Sequence, residues 1–247
     1  MKILLLIATL AFVSLVSMAS LTAASEAIAP LFSTLRPGQS LPLTFRFIPI
    51  PKVDKNVVSL VDDQGFTVLK VESNHSAGSI ALPFSMDPQT TPILTWRWKV
   101  NRVLESADME EKSADDFSGR VYVFFDVPLD SLSFMDRSKI RLARLIAGAD
   151  VPTAALCYVW DNKHRIGFAH ASPYTNRVQK FVLQSGPEKV GQWVIESRDV
   201  AADFRQAFGH EPPRITGVAI GNDTDNTGEQ VTTWYGDVQF QSKQNKP

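Results

Sequence analysis

The chain reads as mainly β, a jelly-roll-like antiparallel β-sandwich with one or two short helices. Three observations predict this. Short apolar stretches recur with period-two alternation. Turn-forming clusters separate them at close intervals. The run from Arg214 to Gln241 reads as strand, acidic turn, strand, and it closes the chain.

In order, Met1 to Ala24 has the layout of an export signal. Lys2 is its only charge, Ile3 to Val16 is an apolar block, and Thr22-Ala23-Ala24 supplies the small residues a signal peptidase needs, so cleavage after Ala24 is expected. The alternative site follows Ala29. The block is short for a membrane anchor, and no basic cluster follows it. The expected location is therefore the bacterial periplasm or the medium, with no membrane span after signal removal. Residues 25–40 read as a leader and 41–247 as a single β-sandwich domain.

Leu41 to Phe47 alternates. Val57 to Val61 and Phe66 to Val71 form a hairpin around Asp62-Asp63-Gln64-Gly65. Ser79 to Leu82 is a weaker strand, and Ile93 to Val100 is a strong one with Trp96, Trp98 and Val100 opposite Arg97 and Lys99. Leu104 to Ser118 is an acidic surface loop. Arg120 to Asp126, Ala155 to Trp160, Val178 to Leu183 and Gln192 to Ser197 complete the set with the closing pair, about ten strands in all. Arg137 to Ala147 has helical spacing. Asp199 to Phe208 does too, with Asp199 as N-cap, Gly209 as C′ residue and Pro212-Pro213 blocking continuation.

Composition narrows function. Of 25 basic and 26 acidic side chains only Lys2 falls in the signal, leaving a mature net charge of −2 and no basic footprint for nucleic acid. Cys157 is the one cysteine, so no internal disulfide forms; within its apolar run it reads as a small core residue. No GxSxG, phosphate loop or HExxH occurs.

Strand phase yields the candidate ligand face. Arg97, Arg120, Tyr122, Tyr235 and Asp237 occupy the polar phases of their strands as candidate ligand residues, and Arg97, Arg120, Tyr122 and Asp237 are expected on one face of one sheet, opposite Trp96, Trp98 and Val121. Trp160, Tyr174 and Arg177 at strand ends add the stacking and bidentate groups that saccharide and carboxylate sites use. His164 and His170, six residues apart on a loop, match no common zinc spacing and read as solvated histidines. Asp115, Asp116, Asp199 and Asp203 are the carboxylates a glycosidase would need, though Asp199 is explained as a cap. In the closing turn, Asp223, Asp225 and Asn226 precede Gly228 in a calcium-loop-like order. The twelfth position is Trp234 rather than Glu, so an EF-hand is rejected, and a structural calcium of another design is weighed against an Asx-bonded turn.

The ordered segments TWRWKV (95–100), DDFSGRVYVFFD (115–126), ALCYVWDN (155–162), PYTNRV (173–178), GQWVIESRDVAADFRQAFG (191–209) and ITGVAIGNDTDNTGEQVTTWYGDVQF (215–240) resemble the exported bacterial family called domain of unknown function 3047. The similarity runs from about Phe45 to Phe240. It implies export and assigns no catalytic residues. The closing WYGDVQF is also similar to the last strand of galactose-binding-like jelly rolls, which implies a sandwich of the galactose-binding-like or concanavalin-like kind. The leading expectation is a non-catalytic module binding a saccharide or another polar envelope polymer. The competing readings are a scaffold for a protein partner of unknown identity, and a carbohydrate-active hydrolase or lyase.

Overall fold

The computed structural model describes residues 31–147 and 151–243; the expected signal segment lies outside them. The strands are β1 (Arg46–Ile48), β2 (Asp54–Lys55), β3 (Val57–Asp63), β4 (Phe66–Asn74), β5 (Ser76–Met86), β6 (Ile93–Val100), β7 (Phe117–Phe125), β8 (Ala154–Asp161), β9 (Ala169–Ser172), β10 (Thr175–Ser185), β11 (Val194–Asp199), β12 (Ile215–Asp223), β13 (Gln230–Tyr235) and β14 (Gln239–Gln241). Two α-helices, α1 (Phe134–Ala147) and α2 (Val200–Phe208), accompany them.

The strands form two sheets packed face to face. An eight-stranded sheet has the order β1-β5-β12-β7-β8-β10-β9, with β2 beside β5; a six-stranded sheet has the order β11-β6-β13-β4-β3, with β14 beside β6. Pairing is mostly antiparallel, as the sequence predicts. The exceptions are β8 with β10 and β2 with β5, which run parallel. The chain leaves β8, makes β9 at the sheet edge and returns as β10 between them, so β10 meets β8 head to head.

Alternation drives the packing. Every second residue of β6, β7 and β8 enters one core: Leu94, Trp96, Trp98 and Val100; Val121, Val123 and Phe125; Leu156, Tyr158 and Trp160. Its centre is an aromatic cluster that joins the sheets. Trp98 lies 5.6 Å from Trp96, 5.8 Å from Trp160 and 6.5 Å from Tyr235, and Trp96 lies 5.4 Å from Tyr158. Rings of this size bury the most apolar area per residue, which suits a fold with no disulfide to assist it.

The hairpin β3–β4 turns at Gln64 and Gly65, both with positive φ, as expected from Asp-Asp-Gln-Gly. Helix α2 begins where Asp199 Oδ1 accepts from Ala202 N at 3.0 Å and ends at Gly209 in the left-handed region, φ 74°.

Two expectations are corrected. The closing strands do not pair: β12 lies inside the eight-stranded sheet and β13 inside the six-stranded one, so the acidic turn carries the chain from one sheet to the other. The polar phases also fail to share a sheet. Arg97 belongs to the six-stranded sheet, while Arg120 and Tyr122 belong to the eight-stranded one. Alternation reports the face within a strand but says nothing about which sheet the strand joins.

The leader does more than precede the domain. Phe32 is fully buried in the main core, and Asp237 accepts from Ser33 N at 2.9 Å and from Ser33 Oγ at 2.5 Å.

Candidate functional site

The face of the eight-stranded sheet turned away from the core carries Arg120, Tyr122 and Phe124 in a column along β7. The Arg120 guanidinium lies 5.4 Å from the Tyr122 ring, which stacks on Phe124 at 5.8 Å and 18°. The loop between β6 and β7 covers the Arg120 end, and α1 flanks the Phe124 end.

Under the loop lies a buried charge network. Arg120 pairs with Asp223, and Lys180 pairs with Asp115 at 2.6 Å while donating to the carbonyl of Met109. Asp116 accepts from Asn226 N (3.1 Å), Asn226 Nδ2 (3.0 Å), Thr227 N (2.7 Å) and Thr227 Oγ1 (2.8 Å), which fastens the acidic turn to the sheet. Carboxylate oxygens of Asp116, Asp223 and Asp225 lie within 4.8 Å of one another. Four carboxylates here face two cations, and the charge balance shows in the protonation equilibria. Burial pushes Asp223 up to about 8, Arg120 pulls against it, and Asp116, Asp115 and Asp225 add to the rise. Asp115 and Asp225 are also raised, in both cases chiefly by burial. Asp225 Oδ1 is buried without a hydrogen-bond partner.

At the other end is a cavity of about 190 Å³, lined by Tyr122, Phe124, Thr153, Thr175, Arg177 and α1 residues that include Asp136 and Lys139. Arg177 is held by its Nε, which donates to Thr153 O at 2.9 Å, and by the Phe208 ring at 5.2 Å. Its Nη2 is buried with no partner. Burial lowers its pKa against the opposing field of Asp136. A guanidinium stripped of water on one side, beside a stacked aromatic pair, is equipped to meet an oxygen-rich ligand with an apolar face.

Tyr122 and Arg177 line the same cavity, and Arg120 lies behind them, 7 % exposed and engaged by Asp223. The other candidates go elsewhere. Trp160 and Tyr235 are core residues at 1 % and 0 % exposure, which closes them to ligand. Tyr235 enters the core because its hydroxyl finds backbone partners there: it accepts from Arg120 N at 2.9 Å and donates to Gly221 O at 2.6 Å. Asp237 ties down Ser33. Tyr174 is exposed and donates to Lys112 O at 2.7 Å. Arg97 sits on the outer face of the six-stranded sheet, 5.0 Å from the Phe66 ring and 4.6 Å from Trp193. Lys99 follows at 5.0 Å from Trp193 and 4.8 Å from Trp234. That ladder lies along the outer surface of the six-stranded sheet, whereas Tyr122 and Phe124 line a cavity.

Of the acidic-turn residues, Asp223 ends β12 in contact with Arg120 and Asn226 donates to Asp116, so only Asp225 keeps a free carboxylate oxygen. The glycosidase candidates are all engaged: Asp115 by Lys180, Asp116 by the turn, Asp199 as a cap, and Asp203 by Tyr158 (2.7 Å) and Arg198 (2.6 Å). Sequence reading overlooked Thr153 and Lys139, which no pattern marks, and the structural part of Asp116. Cys157 is buried and its thiol is pushed up to about 12 by burial, in keeping with a core residue.

Solved structures to which the chain shows some similarity include three. The family 30 carbohydrate-binding module of the cellulosomal cellulase Cel9D-Cel44B of Clostridium thermocellum is 13 % identical with a TM-score of 0.34, over 85 % of this chain and 95 % of that one. The xyloglucanase domain of NopAA, a type three effector from Sinorhizobium fredii, in complex with cellobiose, is 10 % identical with a TM-score of 0.38, over 84 % and 89 %. The cellulose induced protein Cip1 is 14 % identical with a TM-score of 0.34, over 81 % and 91 %. Comparison with curated proteins gives no match. The family model described as "Protein of unknown function (DUF3047)" covers residues 46–239, most of the sandwich and all of the face built on β7, and the chain belongs to that family.

Proposed function

We propose that this chain is an exported, non-catalytic binding module that takes a saccharide or another polar cell-envelope ligand at the Tyr122–Phe124–Arg177 cavity. The observation that carries this is the partnerless, buried Nη2 of Arg177 beside a stacked aromatic pair. The cavity is smaller than a drug-sized pocket, so it suits one ring of a longer polymer. The ring would lie on Tyr122 and Phe124, with its oxygens facing Arg177, Thr153 and Thr175. Glycan-array screening of the purified mature chain, followed by calorimetric titration of the best hit, tests this. Tyr122→Ala and Arg177→Ala should each weaken binding about tenfold or more, equivalent to about 1.4 kcal/mol. Full affinity in both folded variants would remove the cavity from consideration.

A second reading concerns the acidic turn. The excess of carboxylates and the partnerless Asp225 Oδ1 favour a structural calcium ion among Asp116, Asp223 and Asp225. Calcium at about a hundred times its dissociation constant stabilises a fold by about 2.7 kcal/mol. Melting in millimolar calcium should therefore exceed melting in EDTA, and Asp225→Asn should abolish the difference. Identical melts would leave Asx and backbone hydrogen bonds as the whole account of the turn.

A further inference from the structure

Two histidines that are unremarkable in sequence converge in space on one carboxylate. His164 lies on the loop after β8, His170 lies on β9, and Glu110 lies on the loop between β6 and β7. His164 Nε2 is 3.3 Å from Glu110 Oε2, and His170 Nε2 is 3.6 Å from Glu110 Oε1. Asp108 completes the group: ligand atoms of Asp108, Glu110 and His164 lie within 4.8 Å of one another.

The tautomers supply an independent argument. His170 Nδ1 is 2.8 Å from the carbonyl of Ala171, which can only accept, so Nδ1 carries the proton. His164 Nδ1 is 2.9 Å from Asp161 Oδ2. That oxygen already accepts from the N–H of His164 (2.6 Å) and of Lys163 (3.1 Å), so here too Nδ1 is the donor. In neutral rings both Nε2 lone pairs then face the Glu110 carboxylate, acceptor against acceptor. Such an arrangement is favourable when a cation lies between them, either a second proton on each ring or a metal ion. Asp161 is 1 % exposed and orients His164 as a buried carboxylate orients a metal-binding imidazole. Phe168 stacks on His164 (4.7 Å, 14°) and also lies parallel to His170 (6.2 Å, 5°), fixing both ring planes.

We infer that Asp108, Glu110 and His164 form a zinc site, with His170 able to reach the fourth position. Carboxylate oxygen serves either ion, but imidazole nitrogen suits zinc and disfavours calcium. Zinc bonds of about 2.0–2.1 Å at tetrahedral angles place neighbouring ligand atoms about 3.3–3.4 Å apart, close to the His164–Glu110 separation. Lys163 Nζ now holds Asp108 Oδ2 at 2.5 Å; its side chain is half exposed and can turn into solvent when zinc displaces it. The ion would clip the β6–β7 loop to β8 and β9. That loop supplies Met109 O and Asp115 to Lys180, so zinc would firm the cover over the buried charges. The site is independent of the saccharide reading.

The test is titration of metal-stripped full chain with zinc chloride by calorimetry, alongside thermal melting. One equivalent of zinc should bind with micromolar or tighter affinity and raise the melting temperature, and excess calcium should not compete. His164→Ala should lower affinity at least a hundredfold, Glu110→Gln and His170→Ala at least tenfold. A His75→Ala/His210→Ala variant, which removes the other two histidines, should bind as the parent does. Each variant's melt without metal verifies that it folds. Absence of stoichiometric binding, or full binding by folded His164→Ala, would overturn the assignment and leave Glu110 as a plain polar neighbour of the two rings.

Discussion

Tyr235 shows how one hydroxyl sets the meaning of an aromatic residue. Its ring packs in the core, and its oxygen stitches β13 to β7 and β12 through Arg120 N and Gly221 O. Tyr235→Phe keeps the ring and strands both backbone partners, so it should cost about 1–3 kcal/mol in urea unfolding. Asp223 sets a pH dependence. Its folded pKa, about 8, lies above the ordinary value of 3.8, so between these pH values the native state holds more protons than the unfolded chain. Stability from this group is present at low pH and falls as pH rises from about 4 through 8. Asp115 and Asp225 shift in the same direction. Asp108 and Asp199, both lowered, act oppositely and lose stability as pH falls through their folded values, below the ordinary 3.8. Unfolding free energies measured across this range should decline with pH, and Asp223→Asn should flatten the slope whatever it does to absolute stability. A slope unaffected by that substitution would move the titration to other groups.

At the scale of elements, α2 illustrates local rules holding. Asp199 caps it and Gly209 ends it, while Val200 and Phe204 bury its apolar side. Asp199→Ala should cost about 1 kcal/mol by loss of the cap, with a further small loss from the Lys243 pair at 2.8 Å. β13 illustrates local rules running out. Thr233 and Tyr235 face the core, Trp234 faces out, and after Gly236–Val238 the phase inverts so that Val238 and Phe240 turn inward. The break puts Tyr235 in the core, away from the polar face its sequence phase assigns it.

Across the whole molecule, the first and last described segments support each other. Phe32 fills the core and Ser33 is held by Asp237 near the end of the chain. Phe32→Ala should cost about 3–5 kcal/mol, as for other large buried rings, and a chain starting at residue 41 should melt well below the mature protein. If either variant melts like its parent, the leader is dispensable and the domain begins with β1. Export is tested separately: intact-mass measurement of protein from the periplasm should give an N-terminus at or near Ser25, and full-length chain in the membrane fraction would refute cleavage.

The sequence by itself determined the β class, most strand positions, the two helices, the caps of α2 and the inward sets of β6 and β7, because these follow from alternation, turn chemistry and capping within a few residues. It singled out Tyr122 by its polar strand phase and Arg177 by its place at a strand end, but no local pattern joined the two. Only the tertiary structure decided which strands share a sheet, that Arg97 and Arg120 lie on different ones, that Tyr235 is core, and that Glu110, His164 and His170 converge. Those outcomes depend on contacts between residues distant in sequence, such as Arg120 with Asp223 or Ser33 with Asp237. Strand pairing is chosen by the burial of whole faces and the satisfaction of backbone groups across the fold, and no local pattern encodes that sum.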